Sequence, residues 1–115
     1  MIHKLLLIIF LLLSSIKGID SSKVRHGNIY IFKIGQLVYL VDSQKVYLQM
    51  KPYKTIIKEK LKKGQARYVK LMSECTALYT STLGKSGFPL IVESDGVDKT
   101  LHKTEDVTQK LISLL

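Results

Sequence analysis

Residues 83–96 read Leu83-Gly84-Lys85-Ser86-Gly87-Phe88-Pro89-Leu90-Ile91-Val92-Glu93-Ser94-Asp95-Gly96, and the parsing of this stretch decides the fold class. Leu83-Gly84 ends an amphipathic helical pattern, Gly87-Phe88-Pro89 breaks it, Leu90-Ile91-Val92 is an apolar run of strand character, and Asp95-Gly96 is a turn pair. A helix handed to a strand through glycine and proline belongs to a mixed α+β domain. After the turn, residues 97–103 read as a polar strand, and a last helix is expected from Thr104. Thr104 suits an N-cap, Glu105 and Asp106 place negative charge at the positive end of the helix dipole, and Val107, Leu111, Ile112, Leu114 and Leu115 supply an apolar side.

Upstream of the stretch, Tyr68, Leu71, Met72, Cys75, Leu78 and Tyr79 recur at spacings of three and four, which predicts a helix ending near Gly84. Tyr53, Ile57 and Leu61, with Ile56 beside them, predict another helix with Pro52 in its first turn. Gly64 interrupts the two, giving two helices or one that bends there. Residues 28–50 are rich in β-branched and aromatic types and predict two or three strands: Ile29-Tyr30-Ile31-Phe32, Leu37-Val38-Tyr39-Leu40-Val41 and Val46-Tyr47-Leu48-Gln49-Met50. Asp42-Ser43-Gln44-Lys45 suits a hairpin connection between the last two, and Gly35-Gln36 a bend.

The chain opens with Met1-Ile-His-Lys4, an apolar run over residues 5–13, and Ser14-Ser15-Ile16-Lys17-Gly18. A basic start, a short apolar middle and a small-residue exit predict a secretory signal over residues 1–18, cut after Gly18 or Ser15. Nine apolar residues are fewer than half of the roughly 20 that cross a bilayer, so removal is expected over retention as an anchor. A polar lead over residues 19–27 and one folded domain over residues 28–115 follow, in a periplasmic or secreted protein.

Lys and Arg number 18 against nine Asp and Glu. That excess calls for an acidic partner: outside the cytoplasm an acidic protein face, an anionic membrane or a cell-wall polymer is expected, and no direct contact with nucleic acid. The strongest local feature is Lys51, Lys54, Lys58, Lys60, Lys62, Lys63, Arg67 and Lys70, opposed only by Glu59, with Lys54, Lys58 and Lys62 stepping along one helical face. Such a face is either the solvated outside of a packed helix or a docking surface.

Catalytic chemistry is not expected. The three histidines are His3, His26 and His102, too few and too scattered for a metal site, and no phosphate loop, nucleophile elbow or Cys-x-x-Cys pair is present. Asp95, Asp98, Glu105 and Asp106 read as turn and capping residues, and no cofactor is implied. The single cysteine, Cys75, rules out an intramolecular disulfide and falls on an apolar helical side beside Glu74, so a buried, inert thiol is expected.

Residues 61–115 resemble the small thioredoxin-like exported proteins of conjugative transfer systems, the integrating-conjugative-element protein family and the related pilus-assembly protein TrbC. The residues that carry the likeness are Leu61-Lys62-Lys63-Gly64, the segment from Leu83-Gly84 to Phe88-Pro89, Leu90-Ile91-Val92, Asp95-Gly96 and Thr104-Glu105-Asp106-Val107. The resemblance implies a degenerate thioredoxin-like single domain, a small mixed sheet packed by two to three helices, with a cis bond at Phe88-Pro89. The redox cysteine pair of that fold is missing, so it implies no oxidoreductase. What it implies is an accessory or assembly protein of a conjugative type IV secretion apparatus, binding envelope or pilus-assembly proteins through a groove at Phe88, Pro89 and Leu90; from the charge pattern, Lys58, Lys62 and Arg67 are expected to steer an acidic partner or membrane surface. The other expectation is a secreted basic effector or inhibitor that binds an anionic polymer, membrane or host target.

Overall fold

The computed structural model describes residues 16–115, in a mixed α+β arrangement, so the apolar run over residues 5–13, expected to be the core of an export signal, lies outside the described residues. The chain divides into two compact units, one holding the described residues up to Val41 with Pro89–Asp106, the other Asp42–Phe88 with Val107–Leu115.

The first unit is a four-stranded sheet of β1 (Val24–His26), β2 (Val38–Val41), β3 (Ile91–Glu93) and β4 (Thr104–Asp106), in the order β1-β3-β2-β4. β1 runs antiparallel to β3, while β2 runs parallel to both β3 and β4, with Leu40 opposite Val92 on one side and Asp106 on the other. The centre of the sheet is therefore parallel, and its strands are apolar: Val38, Leu40, Val41, Ile91 and Val92 are all buried. Val38, Leu40, Leu90 and Val92 form one core cluster with Ile19 and Ile29, and Ile16, Val24, Phe32 and Val97 pack at its margin.

Several local expectations are corrected here. Ile29–Ile31 is a 3-10 turn, because the Asn28 side chain accepts the Tyr30 N–H at 2.9 Å and Phe32 N–H closes back on the Ile29 carbonyl at 3.2 Å. A strand would put Ile29 and Ile31 on one face, whereas Ile29 is buried and Ile31 exposed. Residues 19–27 are more than a polar lead, since Ile19 is core and Val24–His26 is an edge strand. Asp95-Gly96 belongs to a 3-10 turn at Ser94–Gly96, and no hairpin follows. Residues 97–103 are a loop held by Asp98, whose carboxylate accepts the Thr100 N–H at 2.9 Å and the Thr100 hydroxyl at 2.6 Å. The strand falls later, on Thr104–Asp106, which were expected to open a helix. Pairing along β2 recruits them, giving that strand a second row of hydrogen-bond partners.

The second unit is helical: α1 (Ser43–Tyr47), α2 (Lys51–Lys58), α3 (Ala66–Lys85) and α4 (Thr108–Ser113). α1 replaces the expected third strand. Asp42 caps it by accepting the Lys45 N–H, and it buries Val46; Met50, four residues on and past the end of α1, is buried too, a spacing that fits a helical period as well as a strand's. α2 and α3 pack together, and α1 lies against α3 and α4. Tyr47 joins these helices by edge-to-face contacts with Tyr53 at 5.9 Å and Tyr79 at 5.1 Å between centroids. The Tyr79 hydroxyl is hydrogen-bonded to that of Ser43, and Gln44 Nε2 donates to the Tyr53 hydroxyl at 3.3 Å. α4 starts at Thr108, so the expected closing helix is present but displaced, with Val107 and Leu111 buried.

Candidate functional site

The basic segment spans α2, the reversal after it and the start of α3, all within the helical unit. Pro52 stands in the first turn of α2, where a missing N–H costs nothing, and Ile56 is the residue this helix buries. α2 stops in a tight reversal: Lys60 adopts a left-handed conformation with φ 51°, its N–H donates to the Ile57 carbonyl at 3.2 Å, and the Leu61 N–H donates to the Ile56 carbonyl at 3.1 Å. These two bonds define a Schellman cap, a motif whose left-handed position is usually glycine. Gln65 Oε1 then accepts the Lys62 N–H at 2.6 Å, and α3 begins.

Arg67 reaches back to Glu59, Nη2 to Oε2 at 2.8 Å, and that hydrogen bond together with the carboxylate's charge holds the guanidinium more firmly protonated than usual. Arg67 thus neutralises the segment's one acid. Lys51, Lys54, Lys58, Lys60, Lys62, Lys63 and Lys70 are exposed, and among the described residues no ion pair engages any of them. Of the three steering residues expected from the sequence, Lys58 and Lys62 present free charge and Arg67 serves as a clamp.

Beside the start of α2 lies an apolar groove of about 290 Å³, lined by Gln49, Met50, Lys51, Pro52, Leu78 and Leu115. That volume sits near the lower end of small-molecule sites, about 300 Å³, and suits one apolar side chain of a partner. Sequence reading missed it, because its walls come from three separate places in the chain, residues 49–52, Leu78 and Leu115; the only signal was the apolar pair Leu114-Leu115 after a short helix, of which Leu115 lines the groove.

The expected groove at Phe88, Pro89 and Leu90 is distributed differently. Phe88 lies in the helical unit, its N–H donating to Ser86 Oγ at 3.3 Å and its ring 5.9 Å from Lys110 Nζ. Pro89 and Leu90 belong to the sheet unit, where they line a cleft of about 100 Å³ with Asn28, Ile31, Phe32 and Gln36, and Leu90 is itself core. Such a cleft has room for about three waters at roughly 30 Å³ each. Among the described residues no peptide bond is cis, so the cis Phe88-Pro89 bond implied by the resemblance is not present.

Cys75 is fully buried on α3, and desolvation, with Glu74 next to it, pushes its thiol pKa up. His102 Nε2–H donates to the Lys17 carbonyl at 2.7 Å, and its ring meets Phe32 edge-on at 5.6 Å. Among the described residues no three His, Cys, Asp or Glu side chains are grouped to hold a metal ion. Compared with known proteins, the chain matches no family model, no curated protein and no solved structure.

Proposed function

We propose that this is a non-enzymatic accessory protein of the cell envelope that binds an acidic face of another polypeptide through the basic α2–α3 surface. The observation that carries the reading is Lys60. A lysine in a left-handed cap position is less stable than glycine there by about 1 kcal/mol, so the position supplies charge at the expense of stability. The six other free lysines around it, and the internal neutralisation of Glu59 by Arg67, support a surface arranged to stay positive. The groove at Met50, Pro52 and Leu78 adds an apolar contact at the rim of that surface.

Export, and a place in a conjugative type IV secretion apparatus, rest on the signal-like start and on the resemblance of residues 61–115; the thioredoxin-like element of that resemblance has no cis proline behind it. The test is crosslinking of the tagged full chain in its native host. Capture of envelope secretion or pilus-assembly subunits, lost in Lys58→Glu/Lys62→Glu, is expected; capture that survives the double variant would overturn the basic surface as the contact.

An anionic bilayer is the second reading, favoured by Ile57, which is 53 % exposed between Lys54 and Lys58 on α2. Cosedimentation with phosphatidylglycerol vesicles and not with phosphatidylcholine vesicles, abolished by Ile57→Asp, would select it.

A further inference from the structure

The two sequence-compatible cleavage positions are distinguished by what the chain does immediately after them. Both leave a small residue at the cut, Ser15 or Gly18, and both have an aliphatic residue two positions earlier, Leu13 or Ile16, so the recognition pattern does not separate them. Residues 16–18, however, are built into the sheet unit. Ile16 and Ile19 form a bridge, the Ile19 N–H donating to the Ile16 carbonyl at 3.1 Å, and Ile16 packs against the core cluster that contains Ile19. The Lys17 carbonyl accepts the His102 Nε2–H at 2.7 Å, and the Gly18 carbonyl accepts the Asp98 N–H at 2.7 Å. Gly18 itself has φ +83°, and a Cβ on it would lie 3.0 Å from Leu101 Cδ1 and 3.1 Å from the His102 ring, so the loop over residues 97–103 is fitted around it.

We infer that processing occurs between Ser15 and Ile16, making Ile16 the first residue of the mature protein; this rests on the export reading above. A cut after Gly18 would remove both carbonyl acceptors and the Ile16 side chain together. It would also turn the Ile19 nitrogen into an α-ammonium group on a residue only 7 % exposed, without the acceptor it now uses. A cut after Ser15 keeps every one of these contacts, and the new ammonium falls on half-buried Ile16, next to exposed Lys17.

The test is intact-mass analysis and N-terminal sequencing of the full chain, carrying a C-terminal tag, recovered from the envelope or periplasmic fraction of an exporting bacterial host. A product starting at Ile16 is expected. Ser15→Leu, which places a bulky residue at the cut, should leave the unprocessed mass, and Gly18→Leu should leave the cut between residues 15 and 16. A product starting at Ile19, abolished by Gly18→Leu and untouched by Ser15→Leu, would overturn the inference while leaving export intact. A chain beginning at Met1 and confined to the cytoplasm would overturn both.

Discussion

A Cβ added to Gly27 would sit 2.0 Å from the carbonyl oxygen of Pro89, closer than any side chain can be placed. Gly27 follows β1 with φ +94° and Pro89 precedes β3, so the antiparallel pair β1–β3 is brought together over a glycine that has backbone, not side chain, against it. Gly27→Ala meets a clash with main chain and an unfavourable φ at once, and is expected to cost about 2 kcal/mol or more. Urea unfolding of the two proteins measures it, and a difference under about 0.5 kcal/mol would show that the edge strand shifts freely.

The cap at Lys60 gives the opposite sign. Lys60→Gly relieves the left-handed backbone and should stabilise the protein by about 0.5–1 kcal/mol in thermal or urea unfolding, while weakening attachment to an acidic partner. A variant neither more stable nor weaker in binding would separate the charge from the function proposed for it.

Thr82 is fully buried on α3, and its Oγ1 has no hydrogen-bond partner among the described residues. Valine has nearly the same shape without the hydroxyl, so Thr82→Val is expected to raise stability by about 1 kcal/mol. Destabilisation by this change would mean that the hydroxyl is hydrated in solution.

Cys75 should react with an alkylating reagent only when the protein is unfolded, because the thiol is buried and its pKa is raised by desolvation first and by Glu74 second. Labelling followed by mass spectrometry, with and without denaturant, checks this. Rapid modification of the native protein at neutral pH is the contrary result.

Acid should loosen the two Asx turns of the sheet unit. Asp20 accepts hydrogen bonds from the Ser22 hydroxyl at 2.7 Å and N–H at 3.0 Å, Asp98 from those of Thr100, and these bonds lower both carboxyl pKa values. A folded value below the unfolded one, about 3.9, means that the contribution is present above about pH 4 and is lost as pH falls through the folded value. NMR titration of the two carboxyl carbons should give midpoints below those of unfolded Asp, and Asp98→Asn should remove one of them.

The sequence made the parallel-sheet strands legible at Val38-Tyr39-Leu40-Val41 and Leu90-Ile91-Val92, though an equally apolar run at Ile29-Tyr30-Ile31-Phe32 became a 3-10 turn, and it made the helices legible where the apolar spacing persisted for two turns. It misled where two periods coincide. Val46 and Met50 lie on one face of either a strand or a helix, and the Asp42 cap decides between them only once its side chain has found the Lys45 N–H. Thr104-Glu105-Asp106 carries a good helix-start signal, but the open side of β2 sits 63 or more residues away along the chain, beyond the reach of any local pattern. The basic surface was readable because charge needs no partner to be seen. The groove at Met50 and Leu78 was not, since it exists only after the start of α2, the middle of α3 and Leu115 converge.

Every pairing in the sheet joins a strand from before residue 42 to one from after residue 90. A chain emerging N-terminus first from a ribosome or a secretion channel therefore has no strand pair of this sheet to close until β3 has followed, and β4 comes later still. β1 and β2 wait unpaired in this sheet while α1, α2 and α3 pass, so the strands made first are secured only by those made after the helices.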